Sequence, residues 1–290
     1  MNYQEILNEG SKILKLHNIK SFNLDSEILL SSVLKLERSK LILNLNKNIK
    51  YKDKKNYFNL IERRKKNEPV AYITGYKEFW KDTFKVNRNV LIPRPDTEIV
   101  VEQILNELDV NSSKRILDIG TGSGCIILSI LKERKKCHGT GIDISKKAIN
   151  LAKYNAKIQH IGNRIKFFNS DIDNFYRDKY DLITSNPPYI KLYEINDLER
   201  DIKNYEPKVA LNGGIDGYSK IKLVIKKSST LIKKKGKLIL EVGLGQIRET
   251  QRVLRLNGFY TNKVVKDLAK KNRCIISTKA WIKKIINEKL

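Results

Sequence analysis

Cysteine, histidine and proline are scarce in this 290-residue chain, and each shortage closes off a class of chemistry. The three cysteines, Cys125, Cys137 and Cys274, form no CxxC pair and leave an odd count. No disulfide framework is written here, and free thiols in a reducing cytoplasm are expected. The three histidines, His17, His138 and His160, stand at no metal-ligand spacing and offer no obvious general base, so metal catalysis is not expected. No run approaches the roughly 18 apolar residues of a membrane span. The polar start, Met1-Asn2-Tyr3-Gln4-Glu5, carries no signal-peptide pattern, and a cytoplasmic protein is expected.

Acidic residues are also short. Asp and Glu number 32 against 58 Lys and Arg, a net charge of +26. Such a balance attracts nucleic acid or another polyanion. It also fits compositional drift, because Lys, Asn and Ile are abundant together and share AT-rich codons. The lysines are spread along the whole chain and not gathered in one arm. Both readings stand.

The length suits two domains. Residues 1–67 contain no proline and carry helical spacing: Ile6, Ile13, Leu14 and Leu16, then Ile28, Leu29, Leu30, Val33 and Leu34. Asp25 or Ser26 is placed to cap the second helix. Further helices are expected from near Ser39 and near Lys52, the last carrying Tyr57, Leu60 and Ile61. A small helical bundle follows, better suited to holding a partner than to chemistry. Residues 68–98 change character. Pro69 to Gly75 and Glu78-Phe79-Trp80 are rich in aromatic and β-branched residues and predict a hairpin or extended connector. In Leu91-Ile92-Pro93-Arg94-Pro95-Asp96-Thr97-Glu98, Pro95 holds Arg94 extended. Asp96 or Thr97 is expected to cap the next helix. On spacing alone this segment reads as a rigid linker.

Residues 99–290 alternate strand and helix. Strands are predicted at Arg115–Asp118, Gly139–Asp143, Ile165–Phe168, around Leu182-Ile183, at Lys237–Val242, and finally at Tyr260–Val265 and Cys274–Thr278. The alternation predicts an α/β fold: a doubly wound, mostly parallel, seven-stranded Rossmann-like sheet beside a small all-α amino-terminal domain.

Asp118-Ile119-Gly120-Thr121-Gly122-Ser123-Gly124 falls where the first strand meets the first helix. Glycines there let a backbone approach a ligand closely. The spacing is GxGxG and not the GxGxxG of pyrophosphate sites. Asp118 would repel a pyrophosphate and favour a ligand carrying ammonium or sulfonium charge, which points to S-adenosylmethionine. Asp143 ends the second strand about 20 residues on, where a carboxylate accepts from ribose hydroxyls; a helix-capping role is its alternative. Asp171 and Ile172 close the third strand, placed to receive an adenine amino group and cover the ring, although Asp171 also reads as a turn residue.

The fourth strand stops on Asn186-Pro187-Pro188-Tyr189. Two prolines cannot continue a ladder, so an amide, two fixed carbonyls and a phenol are presented at the strand's carboxyl end, the edge where open α/β sheets bind ligands. An amide or exocyclic nitrogen is a poor nucleophile because its lone pair is delocalised. Asn186 Oδ1 and the Pro187 carbonyl can accept its two N–H bonds and aim that lone pair at a methyl sulfonium, with Tyr189 packing on the planar group. Positioning and electrostatics then supply much of the acceleration.

Asp118–Gly124 together with Asn186–Tyr189 resembles the class I S-adenosylmethionine-dependent methyltransferases that modify planar nitrogens. Glu68 to Gly75, Glu78-Phe79-Trp80, Ile92 to Glu98, Glu206-Pro207 through Ala210-Leu211, Gly213 to Gly217, and Glu241-Val242-Gly243 with Gln246 narrow this. Together they resemble the bacterial peptide chain release factor N(5)-glutamine methyltransferase family. The match runs over nearly the whole chain, although residues 1–65 fit only in helical character. The resemblance implies methyl transfer to the glutamine amide of the release factors' Gly-Gly-Gln motif. It also implies a helical domain that docks the release factor, its lysines meeting an acidic protein surface, and an acceptor pocket walled by Arg94 and Glu98 besides Asn186 to Tyr189. Ile172 departs from the large aromatic found in some members. The competing readings are an N(6)-adenine or exocyclic-amine methyltransferase of DNA or RNA, a ribosomal-protein glutamine methyltransferase, and a non-catalytic binding module. The first lacks a visible target-recognition region.

Overall fold

The computed structural model describes residues 1–280. Two compact units emerge, Met1–Tyr76 with Glu199–Tyr205, and Lys77–Leu198 with the chain from Glu206 onward.

The first unit is helical, with helices at Tyr3–Leu16, Phe22–Leu34, Arg38–Ile42, Tyr51–Lys65 and Val70–Thr74. Asn2 and Glu5 form a reciprocal capping box at the first helix. Ile6, Leu14, Leu29, Leu30, Tyr57 and Ile61 are fully buried and make one core. Asp25 and Ser26 do not cap the second helix, which starts earlier, at Phe22. Both lie within it and are buried. Asp25 Oδ2 accepts from Arg64 Nε at 2.7 Å, and Ser26 Oγ lies 2.6 Å from the Tyr57 hydroxyl. Buried polar partners on the Tyr51–Lys65 helix claim side chains whose type alone suits a cap.

The segment predicted as extended over Pro69–Gly75 is a helical turn, with Pro69 just before it and Gly75 ending it at φ 81°. Proline at the start and glycine past the end is the ordinary punctuation of a helix. Burial of Ile73 against the helical core outweighs the β preference of Val70, Tyr72, Ile73 and Thr74. The hairpin comes immediately afterwards, as β1 (Tyr76–Phe79) and β2 (Asp82–Lys85).

In the second unit a single sheet holds β3 (Arg115–Ile119), β4 (His138–Asp143), β5 (Ile165–Asn169), β6 (Tyr180–Ser185), β7 (Ile232–Glu241), β8 (Phe259–Lys266) and β9 (Asn272–Lys279). The spatial order is β5-β4-β3-β6-β7-β9-β8, parallel except where β9 pairs antiparallel with β7 and β8. The seven-stranded doubly wound fold read from the sequence is the one observed. Strand β7 begins at Ile232, five residues ahead of the predicted Lys237, directly after the helix Ser219–Leu231. A register shift between Tyr180 and Leu182 absorbs this extension.

Neighbouring residues on the central strands serve opposite faces. Ile116, Leu182 and Ile239 pack under the helices Glu98–Asn106 and Cys125–Glu133. Leu117, Ile183 and Leu238 pack under Ser219–Leu231 and Ile247–Leu256. This two-sided burial explains why the strands read as continuous apolar runs without polar alternation.

Where β3 leaves the sheet, its last rung pairs Ile119 with Ser185 of β6, and Ser185 Oγ donates to Ile119 O at 2.7 Å. The order reverses here, with β4 on one side of β3 and β6 on the other, which makes this the crevice where an open α/β sheet takes ligands. Asn155, wholly buried on the helix Lys146–Ile158, secures the loop after β3 from behind. Its Nδ2 donates to Ser123 O at 2.8 Å and Lys85 O at 3.0 Å, and its Oδ1 accepts from Lys85 N at 2.9 Å. Asn155→Ala strands these buried backbone groups and is expected to cost about 2 kcal/mol. Urea unfolding should show a lower midpoint at unchanged slope; an unmoved midpoint would mean that water replaces the amide without loss.

Among the described residues, no helix is long and apolar enough to cross a membrane. All three cysteines are buried free thiols.

Candidate active site

A cavity opens at the carboxyl ends of β3, β4, β5 and β6. On its β3 side, Gly120, Gly122 and Gly124 all adopt positive φ, at 73°, 55° and 83°. The amides of Gly120 and Thr121 both donate to Ile142 O at 2.9 Å. Gly124 is the position that needs its freedom most, because at φ 83° a Cβ there would also lie 3.0 Å from Leu128 Cδ1. The Gly122 N–H is turned to Asp143 Oδ2 at 3.0 Å. Asp143 Oδ1 accepts from Ser145 N at 2.9 Å, and Ser145 caps the following helix through Ala148 N at 3.2 Å. The Asp143 carboxylate thus carries one donor on each oxygen and keeps lone pairs for a further hydroxyl. Burial raises its pKa, opposed by these two amides.

Gly120, Thr121, Gly122, Ser123, Asp143, Asp171, Ile172, Asn186, Pro187, Pro188 and Arg94 all line the cavity. Ile144 and Ile172 add apolar wall on the β4 and β5 sides. Four of the residues picked out from the sequence stand behind it. Gly124 begins the helix Cys125–Glu133. Asp118 is 1% exposed beneath the turn, its Oδ2 accepting from Thr121 Oγ1 at 2.7 Å. Burial pushes its pKa to about 7, the Thr121 hydrogen bond opposing and the Asp143 charge adding. Glu98 accepts from Trp80 N at 2.8 Å and so ties the β1–β2 hairpin to the helix that Glu98 begins. Tyr189 turns its ring into the core on the Leu117 face, where its hydroxyl donates to Glu241 Oε1 at 3.2 Å.

The Asn186–Tyr189 segment is held by a second loop. Ile190 N donates to Leu211 O at 3.1 Å and Gly213 N to Ile190 O at 2.8 Å. Gln246 Nε2 donates to Tyr189 O and to Gly217 O, each at 3.1 Å, while its Oε1 accepts from Gly243 N at 2.9 Å. A Cβ at Gly213 would lie 2.8 Å from Tyr189 Cα and 2.9 Å from Pro188 O. Only glycine lets the two backbones approach this closely. Gly213→Ala should displace the tetrapeptide and depress activity about 10²-fold; full turnover in that variant would show that the loop yields without moving Asn186.

Arg94 keeps the extended backbone that Pro95 imposes, at φ −98° and ψ 142°. Its Nη2 reaches Glu206 Oε1 at 2.6 Å, joining the segment before the helix Glu98–Asn106 to the segment opening with Pro207. Val209 and Ala210 from the latter also face the cavity. Neither Asp96 nor Thr97 caps by side chain, because a 3-10 turn at Pro95–Thr97 runs straight into the helix. Thr97 Oγ1 instead donates to Glu241 Oε2 at 2.6 Å and receives Asn186 Nδ2 at 3.1 Å. Glu241, at the end of β7, is 1% exposed. Burial raises its pKa, with Thr97, Arg273 and Tyr189 opposing.

Thr97 and Glu241 are the residues whose roles the pattern did not disclose. Glu241 carried one usable signal, an acid at the carboxyl end of the apolar run Leu238-Ile239-Leu240, since an acid is seldom fully buried unless it is paired.

Two family models match the chain. The PrmC N-terminal domain covers residues 5–75 and the methyltransferase small domain residues 97–200. A release factor glutamine methyltransferase from Clostridium acetobutylicum is 38% identical over 285 residues, 97% of this chain and 100% of that protein. Another, from Thermodesulfovibrio yellowstonii, is 41% identical over 273 residues, 93% and 97% of the two chains. Among solved structures, a methyltransferase from Pyrococcus furiosus superposes with TM-score 0.52 at 15% identity, over 68% of this chain and 89% of that one, and shares the fold. With a helical first unit, a seven-stranded sheet and a glycine turn beside Asn-Pro-Pro-Tyr, and with identity of this extent along its length, the chain belongs to the release factor glutamine methyltransferase family.

Proposed function

We propose that this enzyme transfers a methyl group from S-adenosylmethionine to the side-chain amide nitrogen of the glutamine in the Gly-Gly-Gln motif of peptide chain release factors. The observation that carries the reading is the Asn186 amide. It lines the cavity one residue beyond the rung that joins β6 to the glycine turn's strand, with Nδ2 bonded to Thr97. Among the described residues none donates to its Oδ1, which leaves that oxygen for an incoming N–H.

The cavity's donor half fits the cofactor. The backbone of Gly120 to Ser123 lies open to a ligand, Asp143 has lone pairs for ribose hydroxyls, and Ile144 and Ile172 offer apolar surface to a flat base. Asp171 lines the same end, its Oδ1 accepting from Asp173 N at 3.1 Å. Asp118, once ionised above about pH 7, adds negative charge behind the turn, suited to a cationic ligand. When bound, S-adenosylmethionine supplies a methyl group on cationic sulfur, already activated for displacement.

The chain's own residues then orient the acceptor. Asn186 Oδ1 and the Pro187 carbonyl accept the two N–H bonds of the glutamine amide and turn its lone pair along the transfer line. Pro187 and Pro188 hold those groups on a backbone with fixed φ. The acceptor proton becomes acidic only as the new N–C bond forms, so solvent can take it and no resident base is needed. Tyr189 supports from the core, through Glu241. The helical first unit is the expected dock for the release factor, and nucleic acid is not required.

The test is tritiated S-adenosylmethionine offered to a release factor, to the same factor with its Gly-Gly-Gln glutamine changed to alanine, and to DNA. Label is expected on the first alone. Label on DNA with none on the release factor would establish the exocyclic-amine alternative instead.

A further inference from the structure

We infer that Thr97 and Glu241 are positioning residues that decide which end of the Asn186 amide faces the acceptor, an inference that rests on the reading of Asn186 as the acceptor's hydrogen-bond partner. A side-chain amide is nearly symmetric in shape, yet its two ends are opposite in hydrogen-bonding sense: one accepts, the other donates. Methyl transfer to a primary amide needs the accepting end turned outward. With the donating end outward, N–H would meet N–H. Nothing in the shape of Asn186 makes that choice.

The choice is made by a chain of three side chains from three distant segments. Glu241 ends β7, Thr97 precedes the helix Glu98–Asn106, and Asn186 follows β6. Thr97 Oγ1 donates to Glu241 Oε2 at 2.6 Å, so its single hydroxyl proton is committed there. Thr97 Oγ1 can then only accept from Asn186, which lies 3.1 Å away, and this draws Nδ2 inward. The other carboxylate oxygen is engaged by the Tyr189 hydroxyl at 3.2 Å. The two ends of the Asn186–Tyr189 tetrapeptide are therefore both referred to one buried acid. Arg273 and Asp96 stand around the same carboxylate, their Nη2 and Oδ2 atoms 3.3 Å apart. Thr97 is 3% exposed, so water has little access with which to substitute for its hydroxyl.

Thr97→Val keeps the branched shape and removes the hydroxyl; Thr97→Ser keeps the hydroxyl and removes the methyl. With a release factor as acceptor, Thr97→Val is expected to lower kcat about 10²-fold, the scale of a misdirected reacting group. Its KM for S-adenosylmethionine should change by less than about threefold, and Thr97→Ser should restore kcat to within about threefold of wild type. Glu241→Gln offers one accepting oxygen where two hydroxyls need one each, and its kcat should fall between those of the two Thr97 variants. The side-chain amide protons of Asn186, assigned by their absence in Asn186→Asp, give a second readout by 15N-resolved NMR. In wild type one should be protected from exchange, and in Thr97→Val that protection should be lost while the backbone spectrum overlays. Thr97→Ser as impaired as Thr97→Val, wild-type kcat in Thr97→Val, or unchanged Asn186 amide signals in it would each overturn the proposal. Wild-type kcat in Glu241→Gln would remove Glu241 from the relay. If the wild-type chain leaves the release factor unlabelled, the acceptor assignment fails, and the Asn186 amide signals still decide the relay.

Discussion

Asn186→Ala is expected to lower methyl transfer to the release factor by about 10³-fold or more while S-adenosylmethionine binds within about tenfold of wild type. The split follows from where the side chain acts. Under the proposed function the donor half of the cavity is the turn after β3, Asp143 and the end of β5, whose hydrogen bonds do not involve Asn186. A tenfold change in affinity corresponds to about 1.4 kcal/mol, one peripheral hydrogen bond's worth. Catalysis has no such redundancy. An amide nitrogen reacts only when its delocalised lone pair is directed at the methyl carbon, and one of the two carbonyls that would direct it is removed. Single-turnover label transfer and calorimetric titration of the cofactor measure the two quantities separately. If both fall together, Asn186 is chiefly a cofactor ligand.

Asp118→Asn should reshape the protein's pH–stability profile. The wild-type carboxyl has a folded-state pKa of about 7, raised from the usual 3.8 by burial. At low pH both folded and unfolded chains hold the proton and the site contributes nothing. As pH rises from about 4 to about 7, the unfolded chain releases its proton while the folded chain retains it, so stability falls, by about 1.4 kcal/mol per pH unit over that window. Above it the loss is complete. Asn does not titrate, so between pH 4 and pH 8 the difference in unfolding free energy should move toward the variant by on the order of 2–4 kcal/mol. Asp143 and Glu241, also raised by burial, remain in both chains and so contribute to both profiles. The sign is opposite to that of Asp181, where burial raises the carboxyl's pKa but the Arg115 N hydrogen bond and Lys233 together outweigh it and hold it below its ordinary value. Urea unfolding of both chains across this range, without cofactor, gives the comparison; a constant difference would mean that Asp118 stays ionised throughout. Under the proposed function the variant also binds S-adenosylmethionine more weakly above about pH 7, where the wild-type carboxyl is ionised and the variant lacks its negative charge behind the turn.

The sheet was legible because its strands are buried on both faces. Arg115–Asp118 and Lys237–Val242 are short apolar runs bounded by turns, and the alternation with helices leaves few topologies open. The cavity's backbone was legible for a different reason: glycine and proline state conformational requirements at fixed positions, in Gly120 to Gly124 and in Pro187-Pro188. Side-chain partnerships were less accessible. Asp25, Ser26 and Thr97 each have the chemistry of a helix cap, and each is claimed by a partner far away in sequence: Arg64, Tyr57 and Glu241. Local pattern cannot weigh a local bond against one made only after folding. For Tyr189, its place after two prolines presented a phenol beside the acceptor, and the buried acceptor at Glu241 and the apolar neighbours of its ring were not legible in the sequence. Val70–Thr74 shows the same limit for the backbone, with packing of Ile73 deciding against β propensity.

The rung between Ile119 and Ser185 has a consequence for how such an enzyme can change over evolutionary time. The two loops that would bring the reactants together leave the sheet one residue past the same pair, from strands that lie about 4.8 Å apart. Under the proposed function, the separation of these two loops at their roots is therefore set by a backbone ladder. If the proposed function holds, selection for a different acceptor would act on the walls around Arg94, Val209 and Ala210 and on the helical unit, while the loop roots stay constant. Reach and recognition would then be encoded in separate parts of the chain, so that drift in one need not damage the other.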